Sequence, residues 1–160
     1  DHLPKHPNIE KINADIRDRK KLIESVRGYE AFIHLACISN DPSFDLDPQL
    51  GKSINFDAFR NVIDAVRINK VKRFIVASST SQYGIKDPSI QVTEDEKPEP
   101  ITDYAQYKIK CEQEVEKAEM DHTDYVFVRP ATICGHAPRL RLDLTVNTLT
   151  IHALVNKRII

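Results

Sequence analysis

The sequence predicts an α/β fold, a doubly wound parallel sheet, on three observations. Apolar runs of strand length alternate with longer segments of helical period. The runs are near-continuously apolar, as strands buried on both faces are. The residues richest in chemistry follow directly behind those runs, after Ala36, Ala77 and Arg129, and an open parallel sheet places its ligand beyond the carboxyl ends of its strands.

Along the chain, Ile9–Asn13 reads as a short strand. Asp15 to Val26 reads as a helix with Ile16, Leu22, Ile23 and Val26 on one face, and Gly28 follows as its stop signal. Ala31 to Ala36 is a buried strand. Cys37 to Pro48 holds Ser, Asn, Asp and two prolines, the composition of a loop. Gln49 to Asn69 is a long helix with Ile54, Ala58, Val62, Ala65 and Val66 turned inward, and Val71 to Ala77 is a second buried strand. A proline-rich loop runs from Tyr83 to Ile101. Thr102 or Asp103 caps a helix that continues to about Met120, with Glu112 to Glu119 as its solvated face. Tyr125 to Arg129 is a strand ended by Pro130, and Leu142 to Val155 is a last amphipathic helix.

A chain of 160 residues, 41% hydrophobic and 29% charged with a net charge of −1, suits one soluble domain with a single core. That balance offers no electrostatic reason for nucleic acid or an anionic membrane as partner. No apolar run approaches the roughly 20 residues needed to span a bilayer, and Asp1 to Pro7 is too polar and proline-broken for a signal peptide. Three widely spaced cysteines, Cys37, Cys111 and Cys134, form neither a Cys-x-x-Cys pair nor a disulfide framework, so free thiols in a reducing, cytoplasmic setting are expected. No metal site is expected: the histidines lack ligand spacing, and His34, inside a strand, reads as a core residue.

Tyr104 and Lys108, spaced by four, share one face of a helix one turn apart. A nearby ammonium favours the phenolate and lowers a tyrosine from its usual pKa of about 10, which suits a general base for a hydroxyl proton. The same spacing also occurs as an ordinary surface pair. Upstream, Ala77-Ser-Ser-Thr-Ser-Gln-Tyr-Gly84 sets hydroxyls directly after a strand. A serine there can hydrogen-bond a reacting hydroxyl or carbonyl, or the run can be a polar turn that satisfies its own backbone.

The order of segments resembles the extended short-chain dehydrogenase/reductases that act on nucleotide sugars, the NAD-dependent epimerase/dehydratase family typified by UDP-glucose 4-epimerase. Asn13-Ala-Asp-Ile-Arg-Asp18 is similar to the family's Gly-Asp-Ile-Arg-Asp, and Ile33-His-Leu-Ala-Cys-Ile-Ser39 to its His-Leu-Ala-Ala-x-Ser. Asn55 to Asn61 resembles Asn-x-x-Gly-Thr-x-Asn, and Ser78 to Gly84 resembles Ser-Ser-x-x-Val-Tyr-Gly. Tyr104 to Glu112 matches Tyr-x-x-x-Lys-x-x-x-Glu, and Val128 to Gly135 is similar to Leu-Arg-x-x-Asn-Val-Tyr-Gly.

The resemblance implies a Rossmann-like domain and an NAD cofactor, with NADP left open. It implies that Asp15 and Ile16 contact adenine, and that Leu35, Ala36, Cys37 and Ser39 line the cofactor's ribose and pyrophosphate. Asn55 ties that wall to its neighbouring helix, and Ser78 and Ala131 also face the cofactor. Ser79 takes the catalytic hydroxyl position, Tyr104 is the acid/base, and Lys108 holds the nicotinamide ribose. Thr80, Thr132, Arg139, Arg141 and Asn147 join Ser79 as substrate-binding candidates, although the two arginines also read as solvent-facing charges. Thr80 and Ser81 stand where dehydratases carry acidic residues, which disfavours a 4,6-dehydratase, and Thr132, Tyr107 and Gln82 replace the usual Asn, Ser and Val.

The four glycines, Gly28, Gly51, Gly84 and Gly135, form no Gly-rich phosphate loop. Residues 1–160 are therefore expected to be the central part of one such domain, with the first βαβ unit and the carboxyl-terminal substrate lobe outside them, residues 136–160 beginning the substrate region, and the isolated piece inactive. The implied activity of the full-length protein is reversible oxidation at a sugar carbon, C4 foremost, of a nucleotide-activated sugar. A reductase or dehydrogenase without epimerisation, and a non-catalytic dinucleotide-binding protein, are the alternatives. A homodimer through the Gln49–Asn69 and Thr102–Met120 helices is implied by resemblance, with their apolar sides as candidate contacts.

Overall fold

Phe74 and Val76 point the same way from one short strand, and most of the described chain is assembled on them. The computed structural model describes residues 5–39, 41–138 and 140–159. The chain divides into two units, Ile12–Pro130 and Asp1–Lys11 with Ala131–Ile160. In the larger unit, β1 (Ala31–His34), β2 (Arg73–Ala77) and β3 (Asp124–Val128) form a parallel sheet in that order. Phe32, Phe74 and Tyr125 stand in one row across it, and His34, Val76 and Phe127 in the next. Helices α1 (Arg19–Val26), α4 (Phe59–Ile68) and α5 (Asp103–Lys117) pack on this face. Leu22, Val26, Phe59, Val62, Val66, Cys111 and Val115 bury Phe74 and Val76 beneath them, with Phe32 and Phe127 partly buried at the sides and Tyr125 left exposed.

The α/β class and the parallel sheet are as expected, and several boundaries differ for local reasons. Helix α1 begins at Arg19 rather than Asp15 because Asp18 is its cap, its carboxylate accepting from the Lys21 amide at 3.0 Å. Ile9–Asn13 forms no strand: the Ile9 amide closes a turn onto the His6 carbonyl at 2.9 Å, and no ladder partner flanks the segment among the described residues. The expected loop Cys37–Pro48 contains a helical turn, α2 (Asp41–Asp45), anchored by the buried ring of Phe44. The long helix expected from Gln49 is three pieces. Asp47 caps α3 (Pro48–Lys52), Ser53–Asp57 makes a π-turn, and α4 follows.

Burial of the strands is one-sided. Ile33 is 55% exposed, and Val126 and Val128 are each 47% exposed, because this unit's helices cover only the opposite face. In the smaller unit α6 (Thr145–Asn156) is helical as expected, but Asn147 is its one buried residue while Val146, Leu154 and Val155 stay exposed, so it buries no apolar stripe. No helix among the described residues is long and apolar enough to cross a membrane.

Two stability outcomes follow from this packing. Gly84 adopts φ 69°, ψ −148°, and a Cβ there would lie 2.2 Å from the Glu99 carbonyl oxygen, so Gly84→Ala should cost about 2–3 kcal/mol in a denaturant titration. His34, buried beside the Phe59 ring at 5.2 Å, is held down to about 4, first by burial and second by the Lys108 charge. Its contribution is complete above the unfolded-state value of about 6.5 and is lost as pH falls toward the folded value, because only the unfolded chain takes up the proton. Between pH 7 and pH 4, His34→Gln should therefore lose roughly 2–3 kcal/mol less stability than the parent.

Candidate active site

The carboxyl end of β2 is where the sequence motifs converge. Ala77 ends the strand, and Lys108 of α5 donates from Nζ to its carbonyl oxygen at 2.6 Å. The same ammonium lies 5.6 Å from the centroid of the Tyr104 ring. Tyr104 and Lys108 are each 8% exposed, so the pair sits on the inner face of α5 rather than on the surface. Thr102 starts that helix by accepting the Ala105 amide on its hydroxyl at 3.3 Å.

The hydroxyl run after β2 is a built turn. Ser79 caps a 3₁₀ turn, Thr80–Tyr83, and its Oγ accepts from the Ser81 amide at 3.1 Å and the Ser81 hydroxyl at 2.9 Å. The Ser78 amide donates to the Val128 carbonyl and the Thr80 amide to that of Pro130, which knits the turn to the end of β3. The turn packs against α5, and so Ser79, Tyr104 and Lys108 share one region. Ser78 Oγ is buried without a hydrogen-bond partner.

The wall beside β1 is held by Asn55. Its Oδ1 accepts from the Ile38 amide at 2.8 Å, and its Nδ2 donates to the Ile38 carbonyl at 3.0 Å. Asn55 lies in the π-turn, and its own carbonyl accepts from the Cys111 thiol at 3.2 Å. Burial pushes that thiol up to about 12, so it donates and does not ionise. Asn55 thus joins Ile38, after β1, to the π-turn. Leu35, Ala36 and Ser39 are exposed along this wall and Cys37 is half-buried.

Asn13, Ala14, Asp15, Ile16, Ala36 and Ile54 line an open recess of about 570 Å³ at the same end of the sheet. Arg17 holds the lining Asp15: its Nη2 and Nε donate to the Asp15 carboxylate at 2.6–3.1 Å and its amide adds a bond at 2.8 Å. The side-chain bonds to Arg17, then the backbone one, hold the Asp15 carboxyl down at about 2.

The other candidates belong to the smaller unit or fall outside the description. Arg139 lies outside the described residues. Ala131 and Thr132 are exposed. Arg141 is bound to Asp143 at 2.5 Å, and Asn147 bridges the Gly135 amide at 3.0 Å and the Arg141 carbonyl at 2.8 Å.

One motif residue has a setting that the sequence does not indicate. Glu112 was assigned to a solvated face, yet it is 4% exposed and holds Arg129 in a two-bond fork, Nε at 3.1 Å and Nη2 at 2.6 Å. Its hydrogen bond keeps the Arg129 guanidinium above its ordinary value. The available signal was its spacing, four residues beyond Lys108 and eight beyond Tyr104, which returns it to the inner face of α5.

Residues 1–157 match the family described as Epimerase: NAD dependent epimerase/dehydratase family. The chain is 28% identical over 139 residues to the N-acetyl-alpha-D-glucosaminyl-diphospho-ditrans,octacis-undecaprenol 4-epimerase of Escherichia coli O157:H7, covering 84% of this chain and 40% of that protein. It superposes on a UDP-N-acetylglucosamine 4-epimerase from Methanobrevibacter ruminantium M1 with a TM-score of 0.79 and 25% identity, covering 98% of this chain and 51% of the other. The corresponding values for a UDP-glucuronic acid 4-epimerase from Bacillus cereus, solved in complex with NAD, are 0.71, 27%, 92% and 46%. The chain spans about half or less of the length of these relatives. Matched over nearly its whole length, it belongs to the NAD dependent epimerase/dehydratase family.

Proposed function

We propose that this chain carries the catalytic centre of an NAD-dependent epimerase that acts at C4 of a nucleotide-activated sugar, with Tyr104 as acid/base. The observation that carries the reading is the buried Tyr104–Lys108 pair, its ammonium anchored on the Ala77 carbonyl beside the Ser79 turn.

The residues present fit a dinucleotide. The recess between Asp15, Ile16 and Ala36 is open and about 570 Å³ in volume, and the orphaned Ser78 Oγ marks a polar position at the strand end that the protein itself does not satisfy. When bound, the nicotinamide supplies the acceptor and donor of hydride. Asp15 and Ile16 would hold the adenine end, and Leu35, Ala36, Cys37 and Ser39 the ribose and pyrophosphate, along the wall that Asn55 braces. Lys108, with two ammonium hydrogens beyond the one on Ala77, would hold the nicotinamide ribose and favour the Tyr104 phenolate.

Tyr104 Oη takes the proton of the sugar hydroxyl as it becomes a carbonyl, and returns it when the alcohol re-forms. Ser79 Oγ, already oriented by its two bonds from Ser81, can donate to the same sugar oxygen. Thr80, Thr132, Arg139, Arg141 and Asn147 remain the substrate-side assignments, with Ala131 beside the cofactor and residues 136–160 opening the substrate region. A homodimer and a cytoplasmic setting belong to the same reading, the latter supported by three free cysteines.

In the full-length protein, denaturation should release NAD, identified by chromatography, and Tyr104→Phe should lower turnover of UDP-glucose or UDP-N-acetylglucosamine by about 10²–10⁴-fold. Turnover indifferent to Tyr104 would overturn the mechanism.

A further inference from the structure

We propose that Glu112, Arg129 and Tyr83 form a positioning clamp that sets the Ser79 turn against the Tyr104–Lys108 helix. The proposal rests on the catalytic reading above. Arg129 follows β3 directly, and its guanidinium reaches α5, the turn that Tyr83 ends and the loop at Glu94 at once. Nε and Nη2 grip the Glu112 carboxylate of α5 at 3.1 and 2.6 Å. Nη1 donates to Tyr83 Oη at 2.8 Å and to the Glu94 carbonyl at 3.3 Å, and its carbon lies 5.6 Å from the Tyr83 ring centroid. Buried Gln82 adds a bond from Nε2 to Glu112 Oε1 at 3.3 Å.

Helix α5, the 3₁₀ turn and the end of β3 each present a part of the site. Glu112 is one turn from Lys108 and two from Tyr104 on the same buried face of α5, so any rotation of the helix that moved one would move all three. Tyr83 ends the turn that Ser79 begins. The β3 end that carries Arg129 also receives the Ser78 and Thr80 amides.

Stability alone is a poor explanation for such a pair. The side chains are 20% and 5% exposed, and a buried ion pair gives little stability over an apolar pair of the same volume. A planar fork with a third donor does constrain distance and angle together, which a point charge cannot.

The test compares Tyr83→Phe, Arg129→Lys and Glu112→Gln with the parent and Tyr104→Phe, in the full-length protein, with UDP-glucose and UDP-N-acetylglucosamine as substrates. Read-outs are kcat, KM, retained NAD and melting temperature. Misplacement by about 1 Å costs up to a hundredfold in rate. Arg129→Lys keeps the charge and loses the fork, so its kcat should fall by about a hundredfold while KM and retained NAD stay within about twofold. Tyr83→Phe loses one acceptor and should fall about tenfold, with the melting temperature of the parent. Should Glu112→Gln fail to fold, Tyr83→Phe and Arg129→Lys decide. Parental kcat in both, with Tyr104→Phe inactive, overturns the clamp alone, as does a fall in kcat that only follows the folded fraction. Full activity in Tyr104→Phe overturns the catalytic reading and the clamp with it.

Discussion

A lysine ammonium held 2.6 Å from the carbonyl that ends the central strand conditions most of what surrounds it. Withdrawing such a charge from water is costly unless hydrogen bonds replace the lost hydration. The carbonyl of Ala77, the last residue of β2, supplies one. Lys108 can reach it only if α5 packs with one particular rotation, and that rotation also turns Tyr104, Cys111, Glu112 and Val115 inward. The same charge helps keep His34 neutral in the core. One polar contact therefore selects the helix face, and Cys111 and Val115, buried in the core cluster, hold it there.

The second constraint is the π-turn at Ser53–Asp57. A regular helix from Pro48 would commit the Asn55 carbonyl to an intrahelical bond. In the structure that carbonyl serves the Cys111 thiol, and the Asn55 carboxamide takes both backbone groups of Ile38. Single π-turns that interrupt a helix recur where a side chain is needed outside the helix pattern. Here it brings the segment after β1, through the Asn55 carboxamide, and the inner face of α5, through the Asn55 carbonyl, onto one residue. Loops behind strands carry the chemistry, and buried amides and carboxylates hold those loops to the rigid elements.

Much of this was legible without coordinates. The alternation of apolar runs and helical periods predicts β1, β2, β3, α1, α4, α5 and α6 in order, and Tyr104 and Lys108 a turn apart are legible from spacing alone. What failed did so locally. Asp15 and Asp18 are equally good caps on paper, and only the chelation of Asp15 by Arg17 leaves the cap to Asp18. Glu112 sits in a run of acids and lysines whose composition says solvent, whereas its position on the helix says core. Composition misled there because its partner, Arg129, is 17 residues away and follows another element.

The sequence by itself determined the class of fold, the family and the candidate catalytic pair, because periodicity, turn chemistry and motif spacing are properties of neighbouring residues. Tertiary structure decided the rest. It decided which face of the sheet this unit covers, that α3, the π-turn and α4 are separate pieces, that Asn55 is spent on Ile38, and that Glu112 and Arg129 meet. Each of those depends on a hydrogen bond or ion pair between residues distant in the chain, and the partner of a buried polar group is chosen by packing, which no local pattern encodes.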